Sequence, residues 1–276
     1  MGNGMADYAL NANIAGVNTV KEYELYCHYV AGLVGEGVSR MFILAGLADP
    51  VVLERPELSE SMAQLLQQTN IIRDVYEDHE QNRHFWPKEI WSRHVDRFDD
   101  FFLQDTRSRM KALECSSEMV LLAINRAQEC LAYMANVREQ STFNFVAIPQ
   151  CMAIATLELC FRNPEIFERN VKITKGLACQ LLIESTKDIR HVGRVFHRFA
   201  KKIQDRNEPD DPNHDKINAA CEKICRIVDD LVSDYRIPWI DSSVALSSKG
   251  RYIAVWSGVL ALGFLTVLAI GFTSLR

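Results

Sequence analysis

An all-α fold follows from three features of the sequence. Apolar residues recur at three- and four-residue spacing almost throughout, breakers are confined to the junctions between those runs, and no β-hairpin or internal repeat is present. Helical segments are expected near Val20 to Ala45, Glu57 to Gln81, Thr106 to Val137, Ser141 to Cys160, Glu165 to Phe199 and Asp215 to Tyr235. Between them stand Asp49-Pro50, Arg55-Pro56, Trp86-Pro87 and Asn163-Pro164, where proline lacks the N–H that carries a helix onward. The polar run Asp205 to Asp215 is expected to be an exposed loop.

With 276 residues, 48% of them apolar, the chain can build one sizeable helical domain, assigned to residues 1–235. The net charge of −5 and the scatter of lysine and arginine exclude a basic stripe, so nucleic acid is not a partner. The eight cysteines (Cys27, Cys115, Cys130, Cys151, Cys160, Cys179, Cys221 and Cys225) form no CxxC pair and are expected to be core thiols in a reducing compartment. Cys221 and Cys225 share a helical spacing, but no histidine with ligand spacing accompanies them.

Residues 236–250, with Pro238, two Ser-Ser pairs and Gly250, are expected to be a flexible linker. Beyond it, Tyr252 to Phe272 is 21 residues without a charge. As a helix that run would be about 32 Å long, matching the ~30 Å hydrocarbon thickness of a bilayer. Residues 251–272 are therefore expected to form a transmembrane tail anchor, in contact with membrane lipid, and the alternative is a buried core helix. Lys249 and Arg251 ahead of the span keep the long N-terminal part in the cytosol. The opening Met-Gly-Asn-Gly-Met-Ala-Asp-Tyr has neither the basic start nor the apolar stretch of a signal peptide.

The acidic segment runs from Gln67 to Asp78. At about 100° per residue, Gln67, Asn70, Asp74, Glu77 and Asp78 fall within one arc of ~100°, while apolar residues wrap the rest of the helix. Three carboxylates so close repel one another unless cations or protons neutralise them. Magnesium takes hard oxygen ligands and shares them with substrate phosphates, which accounts for acids and not histidines along the strip. The alternative is a solvated acidic face paired with Arg73 and Arg83.

Tyr26-Cys27-His28-Tyr29-Val30-Ala31-Gly32-Leu33-Val34-Gly35, followed by Gln67 to Asp78, resembles squalene synthase. Phe85 to Trp91 and Phe143 to Gln150 extend the likeness, whose wording is most similar to filamentous fungal members. The resemblance implies a class I isoprenoid-synthase-like helical bundle. It also implies head-to-head condensation of two molecules of farnesyl diphosphate to presqualene diphosphate, then reduction to squalene with NADPH. Asp74, Glu77 and Asp78 then hold Mg2+ against a diphosphate, and Gln67, Asn70, Arg73 and Gln150 contact substrate. Tyr26 stands near the reacting carbons, with Tyr29 the weaker choice, and Phe143 and Phe145 shield a carbocation from water. Without the resemblance all four aromatics would be read as core residues, with Gly32 and Gly35 permitting close helix packing. A kink at Pro149 could open room for substrate. Lys172 and Lys175, with Arg73, would reach NADPH phosphates, although Thr174 stands where relatives often carry arginine. No GxGxxG is present.

The resemblance places the protein in the endoplasmic reticulum membrane, facing the cytosol, as a monomer. Squalene synthases carry a first aspartate-rich motif on helices that would precede Met1, and Asp96 to Asp100 is a poor substitute. The bundle is therefore expected to be incomplete and residues 1–276 alone to be inactive, the chain being a fragment. Two alternatives remain: a non-catalytic tail-anchored helical protein, and a phytoene or dehydrosqualene synthase.

Overall fold

Thr19 opens the first helix, α1 (Val20–Cys27), by accepting from the Glu22 N–H, and the Glu22 carboxylate accepts in return from the Thr19 N–H. This reciprocal cap satisfies two donors that a helix start otherwise leaves open. The computed structural model describes residues 16–234, so the expected linker and membrane span lie outside the described residues. A π-helical turn, His28–Gly32, carries α1 into α2 (Leu33–Leu44). His28 Nδ1 and Glu60 Oε2 meet at 2.8 Å beside this turn, and a Cβ on Gly32 would lie 2.5 Å from that oxygen. Gly35 lets α2 press onto the following layer: a Cβ there would sit 3.3 Å from the Ser59 carbonyl oxygen.

After the short α3 (Val51–Glu54), Pro56 starts the central helix, α4 (Pro56–Arg73), where its missing N–H costs nothing. Leu58, Leu65 and Ile72 of α4 are fully buried. Around it lie the π turn, α2, α7 (Thr106–Ile124), α8 (Ala127–Ala135) and α9 (Gln140–Cys160). By length and composition α9 could cross a membrane, yet here it is mostly buried against other helices, including α4. Glu139 caps it by accepting from the Ser141 and Thr142 N–H groups. An outer layer of α10 (Lys175–Ser185), α11 (Ile189–Asp205) and α12 (His214–Asp234) completes the bundle, with α11 and α12 paired along their length.

Three expected runs are divided. The run 57–81 becomes α4 and α5 (Val75–Glu80), the short α6 (Lys88–Trp91) follows, and the run 106–137 becomes α7 and α8. The run 165–199 becomes a 3-10 turn, Pro164–Phe167, then α10 and α11. Side chains cap the starts of α10 and α11: Thr174 accepts from the Leu177 N–H and Asp188 from the His191 N–H. The loop after α11 is not freely exposed. Arg162 pairs with Asp211 and with Glu208, each at 2.6 Å, and Asn207, Asp211 and Asn213 are buried. Seven cysteines are buried as expected, but Cys179 is exposed because it sits on the outward face of α10. Asp99 and Asp100 bind Arg97 at the start of the 3-10 helix Phe98–Phe102, so this acid cluster caps a turn.

Candidate active site

Along α4, Ser59, Met62, Ala63 and Leu66 line an apolar cavity of about 60 Å3. The spacing of three and four residues puts them on one face of the helix. The opposite walls come from α2, from Tyr133 of α8, and from Phe145, Pro149 and Gln150 of α9. The same face continues to Asn70, ~100° being added per residue, and Asp74 follows as the C-cap of α4. The helix thus leads from an apolar chamber to a carboxylate within about 12 Å, at ~1.5 Å per residue.

The acidic strip does not ride one unbroken helix. Arg73 ends α4, Asp74 sits at φ −93° and ψ 12°, and α5 begins at Val75. The Ile71 carbonyl, which would serve Val75 in a continuous helix, faces the indole N–H of buried Trp86 at 3.4 Å. Each carboxylate has its own partner. Arg73, itself buried, donates to both oxygens of Asp74, from Nε at 2.7 Å and Nη2 at 2.5 Å. Glu77 accepts from Asn170 at 3.0 Å and Asp78 from Arg83 at 2.8 Å. Pairing with Arg73 and Arg83 is therefore present, but Asp78 and Arg73 are buried, so the strip is not a solvated face.

Burial pushes the Asp78 carboxyl up to about 7. Arg83 opposes that rise, and the neighbouring charges of Asp74 and Glu77 add to it. No three His, Cys, Asp or Glu side chains among the described residues are gathered to enclose a metal by themselves. The strip nonetheless fits Mg2+, which needs only one or two protein carboxylates when phosphate oxygens and water complete its shell. A divalent cation here would offset the charges of Asp74 and Glu77 that add to the rise burial causes at Asp78.

The family model for squalene/phytoene synthases matches residues 1–176. The chain belongs to the squalene/phytoene synthase family. It is 55% identical over 269 residues to a squalene synthase of Cochliobolus lunatus, covering 98% of this chain and 62% of that protein. With a probable squalene synthase of Neurospora crassa it shares 61% over 233 residues, covering 84% of this chain and 48% of that protein. The chain thus spans about half to two thirds of the length of these relatives. A solved ligand complex of TcSQS superposes with a TM-score of 0.77 at 35% identity, covering 83% of this chain and 65% of that one.

Within this squalene/phytoene synthase bundle the sequence-identified residues separate into groups. Phe145 and Gln150 line the cavity, as does Pro149. Phe143 does not: two residues along a helix turn the side chain by ~200°, and it is fully buried on the other side. Tyr26 also lies outside the cavity wall and stacks on Phe85, ring centroids 4.9 Å apart and planes 23° apart. Gln67 and Asn70 are half-buried beside the strip. Lys172 and Lys175 are exposed at the start of α10, two and five residues after the Asn170 that binds Glu77. A helix N-terminus flanked by lysines fits a phosphate group.

Sequence reasoning passed over Asn170, Ser39 and Tyr133. Ser39 Oγ donates to the Gly35 carbonyl at 2.7 Å and lies 2.9 Å from Tyr133 Oη at the cavity wall. Burial pushes the Tyr133 hydroxyl up to about 12. Neither contact has a sequence signal, because the partners are 94 and 93 residues apart.

Proposed function

We propose that the protein, acting in its whole length, is a squalene synthase. It joins two molecules of farnesyl diphosphate head to head into presqualene diphosphate and reduces that product to squalene with NADPH. The observation that carries this is one face of α4, where cavity-lining Met62, Ala63 and Leu66 lead into Asn70, with Asp74 next at the C-cap of the helix. A prenyl diphosphate has the same order of chemistry, an apolar chain ending in a cluster of negative oxygens.

The apolar walls hold a prenyl chain and keep water from it. Phe145 packs at right angles to Phe42, ring centroids 6.3 Å apart, and lines the cavity with an aromatic side chain suited to electron-poor carbon. Asp74, Glu77 and Asp78 hold Mg2+, which neutralises charge on a departing diphosphate. Arg73 keeps Asp74 oriented, while Gln67 and Asn70 stand beside the diphosphate. Lys172 and Lys175 hold the phosphates of NADPH, the hydride donor. Tyr26 acts from outside the cavity wall, where it stacks on Phe85, and Phe143 from the packing behind Phe145. Residues 251–272 anchor a monomer in the endoplasmic reticulum membrane with the bundle in the cytosol, on the strength of their 21 uncharged positions.

Titration of the chain with a non-hydrolysable thiolo analogue of farnesyl diphosphate tests the site directly. Binding is expected to require Mg2+ and to be lost in Asp74→Ala. Binding that survives both EDTA and that substitution would refute the assignment.

A further inference from the structure

The outward face of α10 is apolar, and among the described residues none covers it. Lys175, Gly176, Cys179, Leu182 and Ile183 are all exposed, Leu182 by 47% and Ile183 by 61%. At ~100° per residue they share one side of the helix, opposite buried Leu181 and Ser185. That side carries no acid. Glu184 turns away to bind Arg198 at 2.7 Å and Gln180 at 2.8 Å. Exposed lysines stand at both ends, Lys175 at the start of the helix and Lys187 just past its finish.

The topology brings this face to the end of the bundle from which the chain leaves. Only residues 186–188 separate α10 from α11, so the last turn of α10 and the first turn of α11 share one end. The α12 helix returns beside α11 in the opposite direction. Its register is set where Gly193, in the second turn of α11, meets Val228: a Cβ on Gly193 would lie 3.1 Å from Val228 Cγ1. Asp234, six residues past Val228, therefore reaches the same end as Leu182 and Ile183. Residues 235–251 follow, at most ~60 Å of chain, before the uncharged run Tyr252 to Phe272.

We propose that this face of α10 rests on the membrane surface, with Leu182 and Ile183 in the headgroup and acyl boundary and Lys187 against anionic headgroups. The proposal rests on residues 251–272 being a membrane anchor. Two apolar side chains and a few cations bind a bilayer weakly by themselves, but a short tether makes the second contact effectively intramolecular. Charge and apolarity suit lipid better than a second protein: the patch is narrow and cationic at its ends, with no acceptor or acid at its centre.

Cys179 provides the probe, since it lies on this face and every other described cysteine is buried. The full chain, labelled at Cys179 with a fluorophore, is reconstituted into vesicles of phosphatidylcholine and phosphatidylserine. Quenching is then compared between doxyl lipids and aqueous iodide, and flotation with vesicles reports the anchor separately. Strong lipid quenching with iodide protection is expected. Leu182→Glu with Ile183→Glu, or Lys187→Glu, should reduce lipid quenching several-fold while flotation and helix content stay unchanged. Flotation with an iodide-accessible label overturns the docking alone, and so does a label shielded from iodide and lipid alike, since protein then covers the face. A chain that does not float overturns the anchor and the docking together.

Discussion

Asn170 Nδ2 donates to Glu77 Oε2 at 3.0 Å across 93 residues of sequence, so the segment ahead of α10 is fastened to the acidic strip. Replacing this neutral donor by a carboxylate would set a fourth negative group beside three that already crowd. At 4 Å two like charges near a protein surface repel by ~4 kcal/mol at an effective dielectric constant of ~20. Asn170→Asp should lower the melting temperature in EDTA, and added Mg2+ should raise the variant's melting point more than it raises the parent's. Equal Mg2+ shifts in the two proteins would show that no cation reaches the carboxylate placed at position 170.

The order of protons at the cavity wall can be deduced. Ser39 has one hydroxyl hydrogen and gives it to the Gly35 carbonyl at 2.7 Å, so in the 2.9 Å contact Tyr133 is the donor. Tyr133→Phe leaves Ser39 still bonded and should cost about 1 kcal/mol. Ser39→Ala strands a buried phenol hydroxyl and should cost more, about 1–3 kcal/mol. Urea unfolding of the two variants checks this, and the reverse ranking would mean that the proton runs the other way.

The helices and the chemistry of the strip were legible because both are local. Apolar spacing located α4 and α9, and acids at i, i+3 and i+4 placed Asp74, Glu77 and Asp78 close enough for their charges to act on one another. Breaks were harder to see. Asp74 leaves the helix beside a carbonyl facing Trp86, a contact that no spacing rule describes. Phe143 and Phe145 were both assigned to a pocket from a motif, although helical geometry alone sends them to different sides. The loop after α11 looked exposed because its residues are polar, and it is partly buried because Arg162 supplies their counter-charge from another element.

Asp188 links the start of α11 to acid stability. Burial would raise its carboxyl, but bonds from the His191 side chain and backbone N–H and from Arg190 win and bring it down to about 2. A carboxyl depressed in the folded state, against ~3.9 unfolded, stabilises above the unfolded value, and that stability fades as pH falls from about 4 towards 2. Asp188→Ala also removes the helix cap and should cost about 1–2 kcal/mol at neutral pH. The gap between variant and parent in urea midpoint should narrow across that acid window. A gap that stays constant down to pH ~2 would assign the loss to packing alone.

Phe143 and Phe145 offer a separation of stability from binding within three residues of one helix. Phe143 is fully buried away from the cavity, so Phe143→Leu should lower stability by about 1–2 kcal/mol through lost packing, leaving ligand affinity near the parent value. Phe145 is half-buried at the cavity wall and touches Phe42 edge-on, so Phe145→Leu should change stability less. It removes an aromatic surface from the chamber, and affinity for a prenyl thiolodiphosphate should drop several-fold while Mg2+ dependence is retained. Calorimetric titration beside urea unfolding reads both quantities on the same samples. If Phe143→Leu weakens binding as much as Phe145→Leu, the prenyl chain occupies space behind α9, and the chamber on the α4 side is not its binding place.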